Sequence, residues 1–186
     1  MKILALVIVA VAALGVALAP HAALAQTAPA AQQAKPAPAS PPAQASAKVG
    51  AATITIDYAR PSMKGRKIMG GLVPYDKVWR TGANAATTLK TDAAINIGGT
   101  DVPAGTYTIY SLPGEKAWKL IINKQTGQWG TQYDQAQDFA RIDLKVESLP
   151  QPVELFTITL TATGPTTGQI VLEWENTRLI APISVK

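Results

Sequence analysis

Residues 105–123 read GTYTIYSLPGEKAWKLIIN and carry the clearest strand–turn–strand pattern of the chain. In the first half, Tyr107 and Ile109 alternate with threonines, as in a strand that buries one face. Residues 113–116, PGEK, have turn chemistry. Residues 117–123 are apolar on both faces, which is typical of a central strand. The stretch therefore predicts an antiparallel hairpin inside a β-rich domain.

Segments with related patterns flank this hairpin. Ala52 to Tyr58 alternates isoleucines with polar residues, and Pro61 ends the pattern because proline cannot donate to a ladder. Residues 125–140 predict a long loop with a helical turn at 134–139. Short strands at near-regular spacing predict an all-β fold, an antiparallel, jelly-roll-like β-sandwich. The other predicted strands are 77–81, 86–91, 94–97, 141–147, 154–162, 168–174 and 178–185.

The N-terminus has the organisation of a signal peptide. Lys2 precedes an apolar run from Ile3 to Leu18, and Ala23-Leu24-Ala25 supplies the small residues of a cleavage site. We expect cleavage before Gln26, so that residues 1–25 are removed and the protein is exported to the periplasm or the extracellular space. The alternative is an uncleaved membrane anchor, for which the run is short.

The segment that follows, residues 26–48, consists almost entirely of Ala, Pro, Gln and Ser. This composition offers little to bury, so it predicts a disordered Ala/Pro-rich linker. Residues 49–186 then form a single β-sandwich domain, which is long enough to build a core without disulfides.

Composition excludes several classes of chemistry. The chain has no cysteine, and its one histidine, His21, lies inside the predicted signal peptide. The mature protein therefore lacks the residues for Ser-His-Asp or Cys-His catalysis and for zinc, copper or iron sites built on imidazole or thiolate. Carboxylate, lysine, tyrosine and serine chemistry remain open. We expect no cofactor and no metal site.

Residues 58–89, YARPSMKGRKIMGGLVPYDKVWRTGANAATTL, concentrate positive charge. This basic segment holds six cations and one acid, Asp76. Charge is uneven along the chain: residues 48–90 carry a net +6, and residues 91–186 a net −3. The asymmetry indicates either a surface that faces an anion or ion pairing between the two halves.

Aromatic and basic residues of this segment form the first candidate binding site, because guanidinium groups fork onto anions and aromatic rings supply flat faces. A second candidate is the glycine-flanked loop GQWGTQY. The structural alternatives are that Arg80 pairs with late acidic residues, that Trp79 belongs to the core and that Trp129 plugs one end of the sandwich. The candidate residues are Tyr58, Arg60, Lys64, Arg66, Trp79, Arg80, Asn84, Trp129 and Tyr133.

The basic segment, with "VPAGTYTIYSLPG", "WKLIINKQTGQWGTQYD" and "LEWENTRLIAPI", resembles the secreted bacterial family known as domain of unknown function 2911. The resemblance spans nearly everything from Val49 onward. It implies a compact, exported, all-β domain and brings no activity or catalytic residue. Ala85 stands where the resemblance leads us to expect an acid.

Three functions stay open on these observations. The first is a non-enzymatic binding or interaction module for an anionic or carbohydrate ligand. The second is a histidine-free, carbohydrate-active hydrolase that uses Asp or Glu, for which Glu173 and Glu175 are a paired set on one strand face. The third is a structural envelope protein. We expect the partner to be a small molecule or a cell-envelope protein, with no nucleic acid and, after signal cleavage, no membrane.

Overall fold

The computed structural model describes residues 39–186. The predicted signal peptide, 1–25, and the linker up to residue 38 lie outside the described residues. The described part is all-β, and its one helical element is a short 3-10 turn, Gln135–Gln137. The strands are β1 Pro42–Val49, β2 Ala52–Ala59, β3 Thr88–Thr91, β4 Ile95–Ile97, β5 Thr100–Val102, β6 Gly105–Leu112, β7 Trp118–Asn123, β8 Asp138–Ala162 and β9 Thr167–Ser184.

All neighbouring strands pair antiparallel, in the order β1-β2-β3-β6-β7-β8-β9-β4-β5. The long strand β8 allows this sheet to fold back on itself. Its first part pairs with β7, its later part pairs with β9, and the register shifts between Ser148 and Val153. Just beyond β2, the backbone N–H of Met63 donates to Glu154 O in the later part of β8. The antiparallel all-β fold expected from the sequence is therefore confirmed.

The inward side chains of these strands form one apolar core. Ile54, Ile109, Leu120 and Ile170 are fully buried within it. Aromatic rings close one end of this core around Phe156, whose centroid lies 5.0 Å from that of Trp79. Among residues 39–186, no helix is long and apolar enough to cross a membrane.

The prediction of a disordered linker is wrong for residues 42–48, which form most of β1. This strand pairs with β2 from Pro42 opposite Ala59 to Val49 opposite Ala52. The inward positions of residues 42–48 are alanines, which are only partly buried against the core. Small side chains give almost no alternation of hydrophobicity, so the composition resembles that of a disordered tether. The folded domain therefore begins before residue 49.

Other boundaries also differ from the expectation. Segments 141–147 and 154–162 belong to the single strand β8, and segment 168–174 and all of segment 178–185 but its last residue belong to β9. Residues 77–81 make only an isolated bridge, between Trp79 and Ser111. The helical turn expected near 134–139 is present.

Candidate functional site

The basic segment crosses from β2 to β3 and is anchored by its apolar members. Ile68 and Val73 are fully buried, and the N–H of Val73 donates to Ile68 O at 2.9 Å. Two late-strand carboxylates hold its backbone. Glu175 accepts from the N–H groups of Ile68 at 3.1 Å and Met69 at 3.0 Å. Glu154 accepts from the N–H of Lys64 at 2.9 Å.

These acids bind backbone groups rather than cationic side chains, which leaves the charge of the segment uncompensated. Within residues 39–186, no ion pair involves a cation of residues 58–89. The alternative in which Arg80 pairs with a late acidic residue is therefore not what the structure shows. The cations left without an acidic partner in the described part are Arg60, Lys64, Arg66, Lys67, Lys77 and Arg80.

Four of these cations, Lys64, Arg66, Lys77 and Arg80, border a cleft of about 710 Å³, within the range of small-molecule sites. The half-buried ring of Trp79 lines the cleft and stacks on the buried ring of Trp174, with centroids 5.7 Å apart and planes 20° from parallel. No carboxylate of the described residues lines the cleft. The lining residues are Ala39, Ser40, Pro61, Ser62, Lys64, Arg66, Leu72, Pro74, Lys77, Val78, Trp79, Arg80, Gly82, Ala83, Tyr110, Gly130, Thr131, Tyr133 and Trp174.

Arg80 is held in the cleft by one hydrogen bond and by packing against the loop after β7. Its Nε donates to Gly82 O at 3.2 Å, while neither of its two terminal nitrogens has an acceptor among the described residues. Its stem lies against Gly130, where an added Cβ would come within 2.9 Å of Arg80 Cδ. A glycine at position 130 therefore makes room for the arginine. Arg80 is half-buried, and its guanidinium keeps one edge free to fork onto an anion.

Tyr110 and Tyr133 line the same side of the cleft, with ring centroids 4.9 Å apart. Tyr133 donates its hydroxyl to Asp138 Oδ2 at 2.6 Å and accepts from Arg141 Nη2 at 2.8 Å. Burial, reinforced by the neighbouring Asp138 carboxylate, raises the pKa of Tyr133 to about 12. Burial also raises the pKa of Tyr110. Both phenols are therefore neutral at ordinary pH, and their rings form part of the wall of the cleft.

Five of the residues proposed from the sequence meet in the cleft: Lys64, Arg66, Trp79, Arg80 and Tyr133. They come together because the basic segment folds over the end of the sandwich and meets the loop after β7.

Tyr58 and Arg60 do not line the cleft, because they join the two faces of the fold. The hydroxyl of Tyr58 accepts from Ile158 N at 3.0 Å, and Arg60 donates to Phe156 O and Thr157 Oγ1. Both side chains hydrogen bond to β8.

Asn84 and Trp129 also lie outside the cleft. Asn84 donates to Ser40 O at 3.4 Å. Trp129 is 52% exposed, so the interpretation that it plugs one end of the sandwich is wrong. Ala85, where the family resemblance leads one to expect an acid, bridges Trp129 outside the cleft.

Sequence reasoning missed several lining residues. Trp174 lies between two glutamates on a late strand, and Tyr110 lies inside the central hairpin, so neither is near the basic segment in sequence. Lys77 also lines the cleft, and its charge and its position in the basic segment are the signal that could have identified it. Among the described residues, no group of three or more His, Cys, Asp or Glu is placed to hold a metal ion.

Comparison with known proteins gives a family and no activity. A family model described as "Protein of unknown function (DUF2911)" matches residues 40–183, which include all nine strands except the last residue of β9. No curated protein and no solved structure matches the sequence significantly.

Proposed function

The chain belongs to the family described as protein of unknown function (DUF2911), and we propose its function from the cleft, since that description assigns none. We propose that the protein is a non-enzymatic binding module that holds a small anionic ligand with a flat or apolar body. We further propose that it acts after export, in the periplasm or outside the cell, as the N-terminal sequence predicts.

The observation that carries this proposal is the pairing of unneutralised cations with stacked aromatics in one cleft. A half-buried guanidinium without a carboxylate partner is costly unless an anion completes it, which favours a negatively charged ligand. The half-buried ring of Trp79, backed by the buried ring of Trp174, supplies an apolar surface for the ligand body. Anionic sugars fit this chemistry, since a pyranose face packs on an indole and the carboxylate pairs with arginine.

A hydrolytic role receives less support from the same geometry. Glu173 is paired with Arg178 at 2.6 Å, and Glu175 is committed to the backbone of the basic segment. Neither lies among the residues that line the cleft. Both carboxylates of the pair that the sequence suggested for hydrolysis therefore make structural contacts. We accordingly propose binding rather than hydrolysis.

The test is thermal melting of the chain from Gln26 onward against a panel of probes. The panel contains phosphate, benzoate, phenyl phosphate, glucuronate and, as the neutral control, glucose. A ligand present at about 100 times its Kd stabilises the folded state by about 2.7 kcal/mol, which raises the Tm by several degrees. We expect the anions with a ring to raise the Tm and glucose to leave it unchanged.

Two variants make the test specific to the cleft. Arg80→Gln removes the free guanidinium edge and should abolish the shift. Lys67→Gln removes an exposed cation of the same segment that does not line the cleft, so it should keep the shift. If no anion shifts the Tm of the wild type, or if both variants respond alike, the cleft is not an anion site.

A further inference from the structure

The cations of the cleft belong to two separate walls. The first wall is residues 61–66, which are docked on β8 through the bridge between Ser62 and Leu155. Arg66 is fixed there, because its Nε donates to Met63 O at 2.9 Å and its Nη2 donates to Ser62 O at 2.6 Å. Lys64 extends from the same wall with no ion-pair partner among the described residues.

The second wall carries Arg80 and is built from different parts of the chain. It consists of residues 80–83 together with Gly130, whose N–H donates to Asn84 O at 3.0 Å. Tyr110 and Tyr133 continue this wall. Arg80 packs on Gly130, so its position is set by the loop after β7 rather than by β8.

The stacked tryptophans connect the two walls. Trp174 belongs to the first side, since its indole N–H donates to Glu154 O, next to the docked residues 61–66. Trp79 belongs to the second, since it bridges Ser111, the neighbour of Tyr110. Trp174 is only 2% exposed, so the aromatic surface that a ligand can reach between the two walls is the ring of Trp79.

The cleft has room for a ligand longer than one small anion. A sphere of the same volume would be about 11 Å across, whereas a salt-bridging contact requires about 3 Å between nitrogen and oxygen. Each wall has a guanidinium that its own hydrogen bonds hold in place, which is the preorganisation that oriented anion binding requires.

On the basis of the proposed function, we propose that the ligand is a dianion with one anionic group at each end of a flat apolar body. One end pairs with Arg80 and the other with Arg66 and Lys64, while the body lies against Trp79. The proposed ligand class is thereby narrowed from an anion with a ring to an elongated anion with a charged group at each end.

The test compares matched aromatic probes by isothermal titration calorimetry on the chain from Gln26 onward. Benzoate and terephthalate share one ring, and biphenyl monocarboxylate and biphenyl dicarboxylate share a longer body. In each dicarboxylate the two anionic groups lie at opposite ends. We expect one of the dicarboxylates to bind at least about tenfold more tightly than its monocarboxylate, since each charged contact contributes separately.

Variants at the two walls locate the two ends. Arg66→Gln and Arg80→Gln should each reduce the affinity of the preferred dicarboxylate to about that of its monocarboxylate, and Lys67→Gln should leave it unchanged. If wild-type protein binds monocarboxylates and dicarboxylates equally, the two-ended ligand is wrong, while the proposed binding function stands. If it binds neither kind, the binding function itself is refuted.

Discussion

Glu175 reaches back across 106 residues of sequence to accept a hydrogen bond from the backbone N–H of Met69 at 3.0 Å. Its other oxygen accepts from Ile68 at 3.1 Å, so a single carboxylate fixes two consecutive peptide groups of the basic segment. The contact holds the segment without neutralising its side chains. Glu175 has a positive φ of 53°, and it lies where β9 departs from regular pairing with β8.

Glu175→Gln should therefore destabilise the protein. The amide has one oxygen in place of two, so one of the two N–H groups of the segment loses its acceptor. We expect the free energy of unfolding to fall by about 1–3 kcal/mol, as for a broken charge-assisted hydrogen bond, measured by urea denaturation.

Glu173→Gln is the matched control for this prediction, because it removes an acid from the same strand. Glu173 makes an ion pair with Arg178, whose side chain is 41% exposed, so we expect a loss of less than about 1 kcal/mol. Equal effects of the two substitutions would contradict the anchoring role of Glu175.

Tyr58 makes a second long-range contact that can be tested on its own. Its hydroxyl accepts from Ile158 N at 3.0 Å and donates to Ile158 O at 3.3 Å, which joins β2 to β8 in the interior. Tyr58→Phe leaves a buried N–H without a partner and should lower the free energy of unfolding by about 1–3 kcal/mol. Tyr75→Phe serves as the control, since no described residue hydrogen bonds the Tyr75 hydroxyl, and its Tm should stay at the wild-type value.

The role of β1 can be tested by truncation. A chain that begins at Gly50 lacks the strand that covers the edge of β2 and places Val49, only 1% exposed, in the core. We expect a lower Tm and stronger aggregation than for a chain that begins at Ala39, because the truncation leaves an open strand edge. Matching Tm values for the two chains would show that residues 42–49 are dispensable, as the linker interpretation implied.

The strands that alternate strongly were predictable from sequence, and the cleft was predictable only in part. β2 and β6 follow from isoleucine and tyrosine at every second position, since that period has no other simple explanation. β1 was not predictable, because alanine differs too little in hydrophobicity from its polar neighbours to give a clear alternation. Lys64, Arg66 and Arg80 were predictable as site residues from the local density of positive charge. Trp174 was not predictable, because its approach to Trp79 depends on how β9 packs across the fold, and the sequence contains no local sign of that contact.

The alkaline behaviour of Tyr133 follows from its environment. Burial and Asp138 raise the pKa of this phenol from 10.0 to about 12, so the folded state prefers the protonated form. A raised pKa adds stability that is fully present below about pH 10 and is lost as the pH rises through about 12. Tyr133→Phe removes this titration. We therefore expect the stability advantage of the wild type over Tyr133→Phe to shrink between pH 10 and 12, followed by urea denaturation at each pH. A constant difference across that range would show that Tyr133 titrates in the folded protein as it does in the unfolded chain.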